Sequence, residues 1–271
     1  MSVLPTVARH AALPYRARGR WRAAALGVAL AGAELACAAP RRSVAPLTVP
    51  GRSAVALTGG PNASLIYAGR TSAGVLLIDL GWWGHRRALP RVLAELDARP
   101  ADVALVFLTH AHRDHVAAWP AVRHAQFFVA VPEAARLTGR QRPRGWIPRW
   151  ADRLRPAHLP GPGLLDVRPF AGDTAFAFGR DTLRAYVVPG HTPGSAVYLF
   201  RGVLFVGDAV THTRAGGFAP ARRRYSDDPQ AAAASLAALW PRLPPGGVRY
   251  VCTAHARCTA FTPAFLRDVA R

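Results

Sequence analysis

Lysine is absent from this chain and acidic residues are scarce. All 35 basic residues are arginine, against 15 Asp and Glu, which gives a formal net charge of +20 over 271 residues. The exclusive use of arginine indicates, in part, a compositional bias of the genome. The excess of positive charge is compatible with binding to nucleic acid, anionic lipid or an anionic substrate. Charge alone therefore does not choose between an enzyme and a nucleic-acid-binding protein.

The sequence also lacks an apolar run long enough to cross a bilayer as a helix. Its apolar N-terminal stretch, residues 23–33, follows a group of arginines at 16–22, which is the layout of a signal peptide. The stretch leads to Cys37 in a sequence that resembles the lipobox of bacterial lipoproteins, except that Glu34 stands where an apolar residue is usual. Residues 1–37 are therefore predicted to be a signal-like, lipoprotein-type segment, and 38–44 a linker.

This segment predicts an exported protein, either periplasmic or anchored to a membrane through lipid alone. A cytoplasmic protein with an Arg-rich extension is the alternative. Cysteine is scarce as well, because the chain has three. Lipidation of Cys37 would leave Cys252 and Cys258 as an even pair, which permits a disulfide but does not require one.

No internal repeat of short fixed period occurs. From residue 45 onward, short apolar runs alternate with helical stretches between Gly and Pro, which predicts one α/β layered catalytic domain over 45–271. The predicted strands are 53–57, 64–68, 75–79, 103–108, 126–131, 182–188, 196–200, 203–206 and 248–252. The predicted helices are 86–98, 115–123, one opening at 132–133, 228–239 and 263–269, and a turn is predicted at 59–62.

The segment 139–163 is rich in Pro, Arg and Trp and shows no clear period, which is typical of a lid or a binding loop. Within it and just before it, residues 136–155 hold seven arginines and one acid, Asp152, interleaved with Trp146 and Trp150. Two interpretations remain open: a solvated surface, or a surface that selects anionic substrates.

Four metal-competent side chains follow the predicted strand 103–108, namely His110, His112, Asp114 and His115. Three imidazoles and a carboxylate packed together must be paired or must bind a cation. Further strand ends are followed by His191, Asp208 and His255. Because strand ends of layered α/β folds meet at one edge, distant residues there can assemble a single site.

With these residues the chain resembles the metallo-β-lactamase-fold hydrolase superfamily, in the dinuclear branch with a bridging aspartate that includes glyoxalase II and lactonases. The match covers His110-x-His112-x-Asp114-His115 and the segments 190–195 and 207–209 around the later ligands. The resemblance extends over about residues 45–271 and implies a four-layer αββα sandwich with the metal ions at one edge.

The resemblance also implies the role of each ligand. The first ion would be held by His110, His112 and His191, and the second by Asp114, His115 and His255, with Asp208 bridging the pair. This ligand set fits two Zn(II) ions, and it also accepts Fe or Mn. Diiron relatives usually have Glu in the place of His112, which favours zinc.

The implied chemistry is hydrolysis, in which a hydroxide shared by the two metals attacks the carbonyl of an ester, lactone, thioester or amide. Asp114 would orient the nucleophile and relay a proton. Asp79 would support a metal ligand or simply end a strand, with both interpretations open. Thr192, with Ser195, is expected to close the turn behind His191 and so to support that ligand.

Two alternatives remain: a zinc β-lactamase and a phosphodiesterase or nuclease. Asp208 weighs against the first, since the best-known β-lactamase branch has Cys there and another lacks the bridging carboxylate. The second is compatible with the positive charge, but 46 residues separate Asp208 from His255, too few for the insertion typical of such nucleases. A small-molecule substrate is therefore expected, nucleic acid is not, and the residues that bind the substrate are not identified.

Overall fold

The computed structural model describes residues 47–49, 52–56, 64–82, 85–154, 157–213, 217–256 and 258–270. The predicted signal-like segment 1–37, the linker 38–44 and the turn 59–62 lie outside the described residues. Among the residues that are described, no helix combines the length and the apolar character needed to cross a membrane.

Seven strands form the first sheet within the described ranges, paired in chain order. The strands are β1 (Leu47–Val49), β2 (Arg52–Ala56), β3 (Tyr67–Thr71), β4 (Gly74–Ile78), β5 (Val103–Phe107), β6 (Gln126–Ala130) and β7 (Asp166–Phe170). Strands β1 to β4 pair antiparallel, and β4 to β7 pair parallel.

The second half of the chain forms a six-stranded sheet and a short two-stranded ribbon. The strands are β8 (Thr174–Phe178), β9 (Asp181–Val187), β10 (Ala196–Phe200), β11 (Val203–Gly207), β12 (Val210–His212), β13 (Phe218–Pro220), β14 (Tyr250–Thr253) and β15 (Cys258–Ala260). The sheet has the order β15-β14-β11-β10-β9-β8, and β12 pairs with β13. Strands β11 and β14 run parallel, so both end at the same edge of the sheet.

Helices connect and cover these sheets. Within the described residues they are α1 (His85–Ala94), α2 (Arg113–Val116), α3 (Val131–Leu137), α4 (Trp146–Leu154), α5 (Pro229–Ala237) and α6 (Pro263–Val269). Polar side chains begin the last two helices: Asp228 accepts hydrogen bonds from the backbone N–H groups of residues 230 and 231, and Thr262 accepts one from Phe265. These caps satisfy backbone donors that a helix start leaves unpaired.

Successive side chains of a strand point to opposite faces of its sheet, so the apolar residues of the two sheets form three separate clusters. Leu77 and Val106 face helices α1 and α3, whereas Ile78 and Phe107 face the second sheet. On the second sheet, inward-facing residues such as Tyr198 join that inter-sheet core, and the opposite face packs against α5 and α6. Three apolar interfaces between helix, sheet, sheet and helix confirm the predicted four-layer αββα sandwich.

Several predicted boundaries differ from the structure. The predicted strand 64–68 begins at Tyr67, because residue 65 instead donates its backbone N–H to Ala254 beyond β14. The predicted helix 115–123 is a single α-turn, Arg113–Val116, followed by a 3₁₀ turn that begins at Trp119, since Pro120 cannot continue an α-helix. The segment predicted to be irregular contains α4.

A disulfide joins Cys252 to Cys258, which lie directly opposite each other on β14 and β15. The sequence left this pairing open. The bond closes a short loop that contains His255, one of the predicted metal ligands, and it ties both ends of that loop to the sheet. The position of His255 is therefore restrained by a covalent bond as well as by strand pairing.

The disulfide leads to a simple expectation about reactive thiols. In the unprocessed chain, unfolded without reductant, we expect one reactive thiol, that of Cys37, and three after reduction. Titration with a thiol reagent, before and after reduction, measures this count. Three reactive thiols before reduction, in the unprocessed chain kept under oxidising conditions, would show that Cys252 and Cys258 do not pair.

Candidate metal centre

The ends of strands from both sheets meet at one edge of the sandwich. Thr109 lies in the loop after β5, and its carbonyl accepts a hydrogen bond of 2.8 Å from the backbone N–H of Ala196, the first residue of β10. Tyr198, on the same strand, donates its hydroxyl to the Leu108 carbonyl at 2.6 Å. These bonds hold the edges of the two sheets together and so bring their loops into one site.

The first group of side chains at this edge is His110, His112 and His191. The Nε2 atom of His191 lies 3.1 Å from Nε2 of His110 and 3.1 Å from Nδ1 of His112. All three residues are buried, and burial lowers the pKa of each imidazole. Three neutral imidazoles that point their ring nitrogens at one spot have the form that binds a metal ion.

The second group is Asp114, His115 and His255, and its candidate ligand atoms all lie within 4.8 Å of one another. The Nε2 atom of His115 is 3.8 Å from an Asp114 oxygen, and Nε2 of His255 is 3.4 Å from the same oxygen. Among the described residues, Nε2 of His115 is buried and has no hydrogen-bond partner. A buried polar atom aimed into a cluster of ligands fits a metal ion at that position.

Asp208 lies between the two groups. One of its oxygens is 3.6 Å from Nε2 of His191, and the other is 3.6 Å from Nε2 of His115 and 3.1 Å from Nε2 of His255. Burial opposes ionisation of this carboxyl, but His255 and His115 hold its pKa well below the usual range. An ionised carboxylate that faces both groups has the geometry expected of a bridging ligand. The structure thus brings together all seven residues that the sequence predicted as ligands.

Asp79 holds the second group in place through its contact with His115. It is buried at the end of β4 with φ of 57°, and its carboxylate contacts Nδ1 of His115 at 2.8 Å. The same carboxylate accepts hydrogen bonds of 2.8 Å from the backbone N–H and the hydroxyl of Thr109. Burial alone would lower the pKa of His115, but the carboxylates of Asp79, Asp114 and Asp208 raise it to about 10 in the metal-free protein. Asp79 therefore both ends a strand and orients a predicted ligand.

Glu133 joins the two loops that hold the first group, and the sequence analysis did not identify it. Its buried carboxylate, from α3, accepts the backbone N–H of Ala111 at 2.7 Å and that of Gly194 at 3.0 Å. Ala111 lies between His110 and His112, and Gly194 lies three residues after His191. A single glutamate in the first turn of a helix looks like an ordinary favourable charge at a helix start, so this role has no signature in the sequence.

The loop around His191 is held from its other side by α5 and the residues before it. Gly190 has φ of 133°, and a Cβ there would lie 2.0 Å from the backbone nitrogen of Ala232. Asp227 donates its backbone N–H to the His191 carbonyl at 3.0 Å. Thr192 and Ser195 close the turn, as predicted, through a hydrogen bond of 2.8 Å between their hydroxyls.

A family model described as the metallo-beta-lactamase superfamily matches residues 57–246. A curated relative, a hydroxyacylglutathione hydrolase from Synechococcus sp., is 32% identical over 121 residues, which are 44% of this chain and 39% of the relative. The aligned part thus spans well under half of that relative's length.

Solved structures share the fold at low sequence identity. A subclass B3 metallo-beta-lactamase from Bradyrhizobium japonicum is 22% identical with a TM-score of 0.54, covering 75% of this chain and 74% of that one. An archaeal metallo-beta-lactamase superfamily protein from Sulfolobus tokodaii is 20% identical with a TM-score of 0.55, covering 78% and 82%. At this level of identity the likeness is one of fold.

Glu133 provides a test of how the site is held together. Glu133→Ala would leave two buried backbone N–H groups unpaired, at about 1–3 kcal/mol each, and would release both ligand loops. We expect the affinity for zinc to fall about tenfold to a hundredfold, as for other residues that orient metal ligands. Competition with a chromogenic chelator measures this affinity.

Glu95→Ala, which removes an exposed acid from the same layer of helices, is the matched control and should leave zinc affinity unchanged. Unchanged zinc affinity in Glu133→Ala, with the variant folded, would show that the ligand loops hold their positions without this carboxylate.

Proposed function

Because the chain belongs to the metallo-beta-lactamase superfamily, we propose that it is a metal-dependent hydrolase with two zinc ions in the site described above. The observation that supports this most directly is the convergence of seven metal-competent side chains in two groups that share Asp208. The family match confirms the resemblance to this superfamily carried by the sequence motifs.

The assignment of ligands follows the two groups. His110, His112 and His191 would hold one ion, Asp114, His115 and His255 the other, and Asp208 would contact both. When bound, two zinc ions lower the pKa of a shared water towards about 7 and polarise a carbonyl oxygen, so that no Ser or Cys nucleophile is needed. Imidazole and carboxylate ligands also accept Fe or Mn.

The chain's own groups set the orientation and the charge of this site. Asp114 is partly exposed, so its carboxylate can reach both the second group and an incoming substrate. Its backbone is fixed, since the Ser64 hydroxyl donates a hydrogen bond to the Asp114 carbonyl. We infer that Asp114 orients the attacking water and accepts its proton, while the buried imidazoles of His110, His112 and His191 stay neutral and hold their positions.

The proposed substrate contains an ester, lactone, thioester or amide carbonyl. The partial match to a hydroxyacylglutathione hydrolase supports cleavage of an acyl bond, although it covers 39% of that protein. Asp208, rather than Cys, weighs against a zinc β-lactamase of the best-known branch. The structural likeness to β-lactamases shows the fold and does not favour that substrate.

Metal analysis and kinetics test the proposal together. Purified protein loaded with zinc should contain about two ions per chain and should hydrolyse generic esters or thioesters. Asp208→Ala removes the carboxylate that faces both groups, so it should lose an ion and lower kcat/KM about a hundredfold or more. Asp114→Asn should keep both ions better than Asp208→Ala does and still lower kcat.

Asp166→Asn, an exposed aspartate on β7, serves as the control and should behave as the unaltered protein does. Absence of any bound transition metal would refute the proposal. Faster cleavage of a phosphodiester or a β-lactam than of any acyl ester would replace the proposed substrate class with one of the two alternatives.

A further inference from the structure

Exposed apolar side chains are concentrated on one segment of the described surface. Large hydrophobic residues that are mostly exposed include Trp146 at 70%, Trp150 at 47%, Leu154 at 59% and Leu164 at 58%. Outside this segment, Val131 is the other such residue among those described. Isolated exposed apolar residues are normal, but a cluster that includes two tryptophans marks an interaction surface.

The helical geometry of α4 places three of these residues in one stripe. Trp146, Trp150 and Leu154 are spaced four apart, so they lie on the same face of the helix. Arg149 and Arg153, also exposed and four apart, lie along the neighbouring face. The exposed half of α4 thus presents an apolar stripe beside a stripe of guanidinium groups. We name this surface, Trp146 to Leu154, the α4 face.

The charge around the α4 face has one sign. Arg140, Arg142 and Arg144 are exposed in the chain leading into the helix. Asp152, the one acid between residues 136 and 155, is partly buried, and its carboxylate lies 3.7 Å from the guanidinium of Arg113. The arginines on the exposed half of the helix therefore have no acidic neighbour on α4 that faces solvent.

The α4 face is anchored firmly beside the metal centre. The backbone N–H groups of Arg144 and Gly145 donate to one oxygen of Asp227 at 2.8 and 2.7 Å. Asp227 in turn donates its own N–H to the carbonyl of the predicted ligand His191. The exposed tryptophans are thus presented by a helix fixed at its start, rather than by a loose loop.

We propose that the α4 face docks the protein onto an anionic lipid surface. Helices that lie in a membrane interface combine tryptophan and leucine with arginine. Their indole rings lie at the headgroup level, and their guanidinium groups contact lipid phosphates. A nucleic acid would use the arginines and stack on the tryptophans. It would leave Leu154 exposed to water, so lipid matches the whole α4 face better. This proposal does not depend on the proposed hydrolase activity.

Vesicle binding of the full chain, loaded with zinc, tests the docking surface. We expect co-sedimentation with vesicles that contain phosphatidylglycerol, weaker binding to pure phosphatidylcholine, and release at high salt. Trp146→Ser with Trp150→Ser should lower the affinity for anionic vesicles about tenfold or more. Arg149→Gln with Arg153→Gln should lower it about fivefold per arginine and reduce its dependence on salt.

Two matched controls distinguish docking by the α4 face from nonspecific binding through other apolar or charged side chains. Val131→Ser removes an exposed apolar residue elsewhere, and Arg168→Gln removes an exposed arginine on β7; neither should change vesicle affinity. Trp146→Phe with Trp150→Phe should retain most of the binding, since aromatic surface is kept. Circular dichroism and zinc content show that each variant is folded.

The proposal is wrong if the double Trp→Ser variant binds anionic vesicles as tightly as the unaltered chain. It is also wrong if the chain binds neutral and anionic vesicles equally. Tighter binding to an oligonucleotide than to vesicles, lost in the same variants, would assign the α4 face to nucleic acid instead.

Discussion

The rest of the site depends on the buried contact of His191 with His110 and His112, in which Nε2 of His191 lies 3.1 Å from a ring nitrogen of each. The single hydrogen or lone pair on Nε2 of His191 can serve only one of its two neighbours fully, and burial makes a ring nitrogen left without a partner costly. Their convergence persists only if the loops that hold them are fixed by other bonds, or if a cation binds all three. The described structure supplies the bonds, and the ligand set fits the cation.

Two buried carboxylates hold most of these loops in place, and both do so by accepting hydrogen bonds from backbone N–H groups. Asp79 accepts the N–H of Thr109 as well as contacting His115, and Glu133 accepts the N–H groups of Ala111 and Gly194. A buried carboxylate can accept several hydrogen bonds at once, so one side chain can hold two chain segments. Burial raises the pKa of Glu133, and the hydrogen bonds from the two loops oppose that rise.

The sequence was sufficient to predict the layered fold and which candidate ligand residues meet at one edge, because strand ends followed by His or Asp form a pattern that repeats along the chain. It was not sufficient to predict the role of Glu133, the strand β8 or the helix α4, each for a different physical reason. Glu133 looks like a favourable charge in a first helical turn. Strand β8 is missing from the predicted strands, because it is short and its residues alternate between partly buried and exposed positions. Helix α4 contains Pro148 within a run of Arg and Trp, which obscured its period.

Asp227 joins the start of α4 to the candidate metal centre. One carboxylate oxygen receives the two N–H groups at the start of α4, the other pairs with the buried Arg136, and the backbone N–H of the same residue contacts His191. These contacts link the start of α4 to the loop of His191 through one residue, and the ion pair with Arg136 is buried. We expect a substitution that moves the start of α4 to disturb the His191 loop through Asp227. The Arg- and Trp-rich segment thus supports the candidate metal centre, although it supplies no candidate ligand.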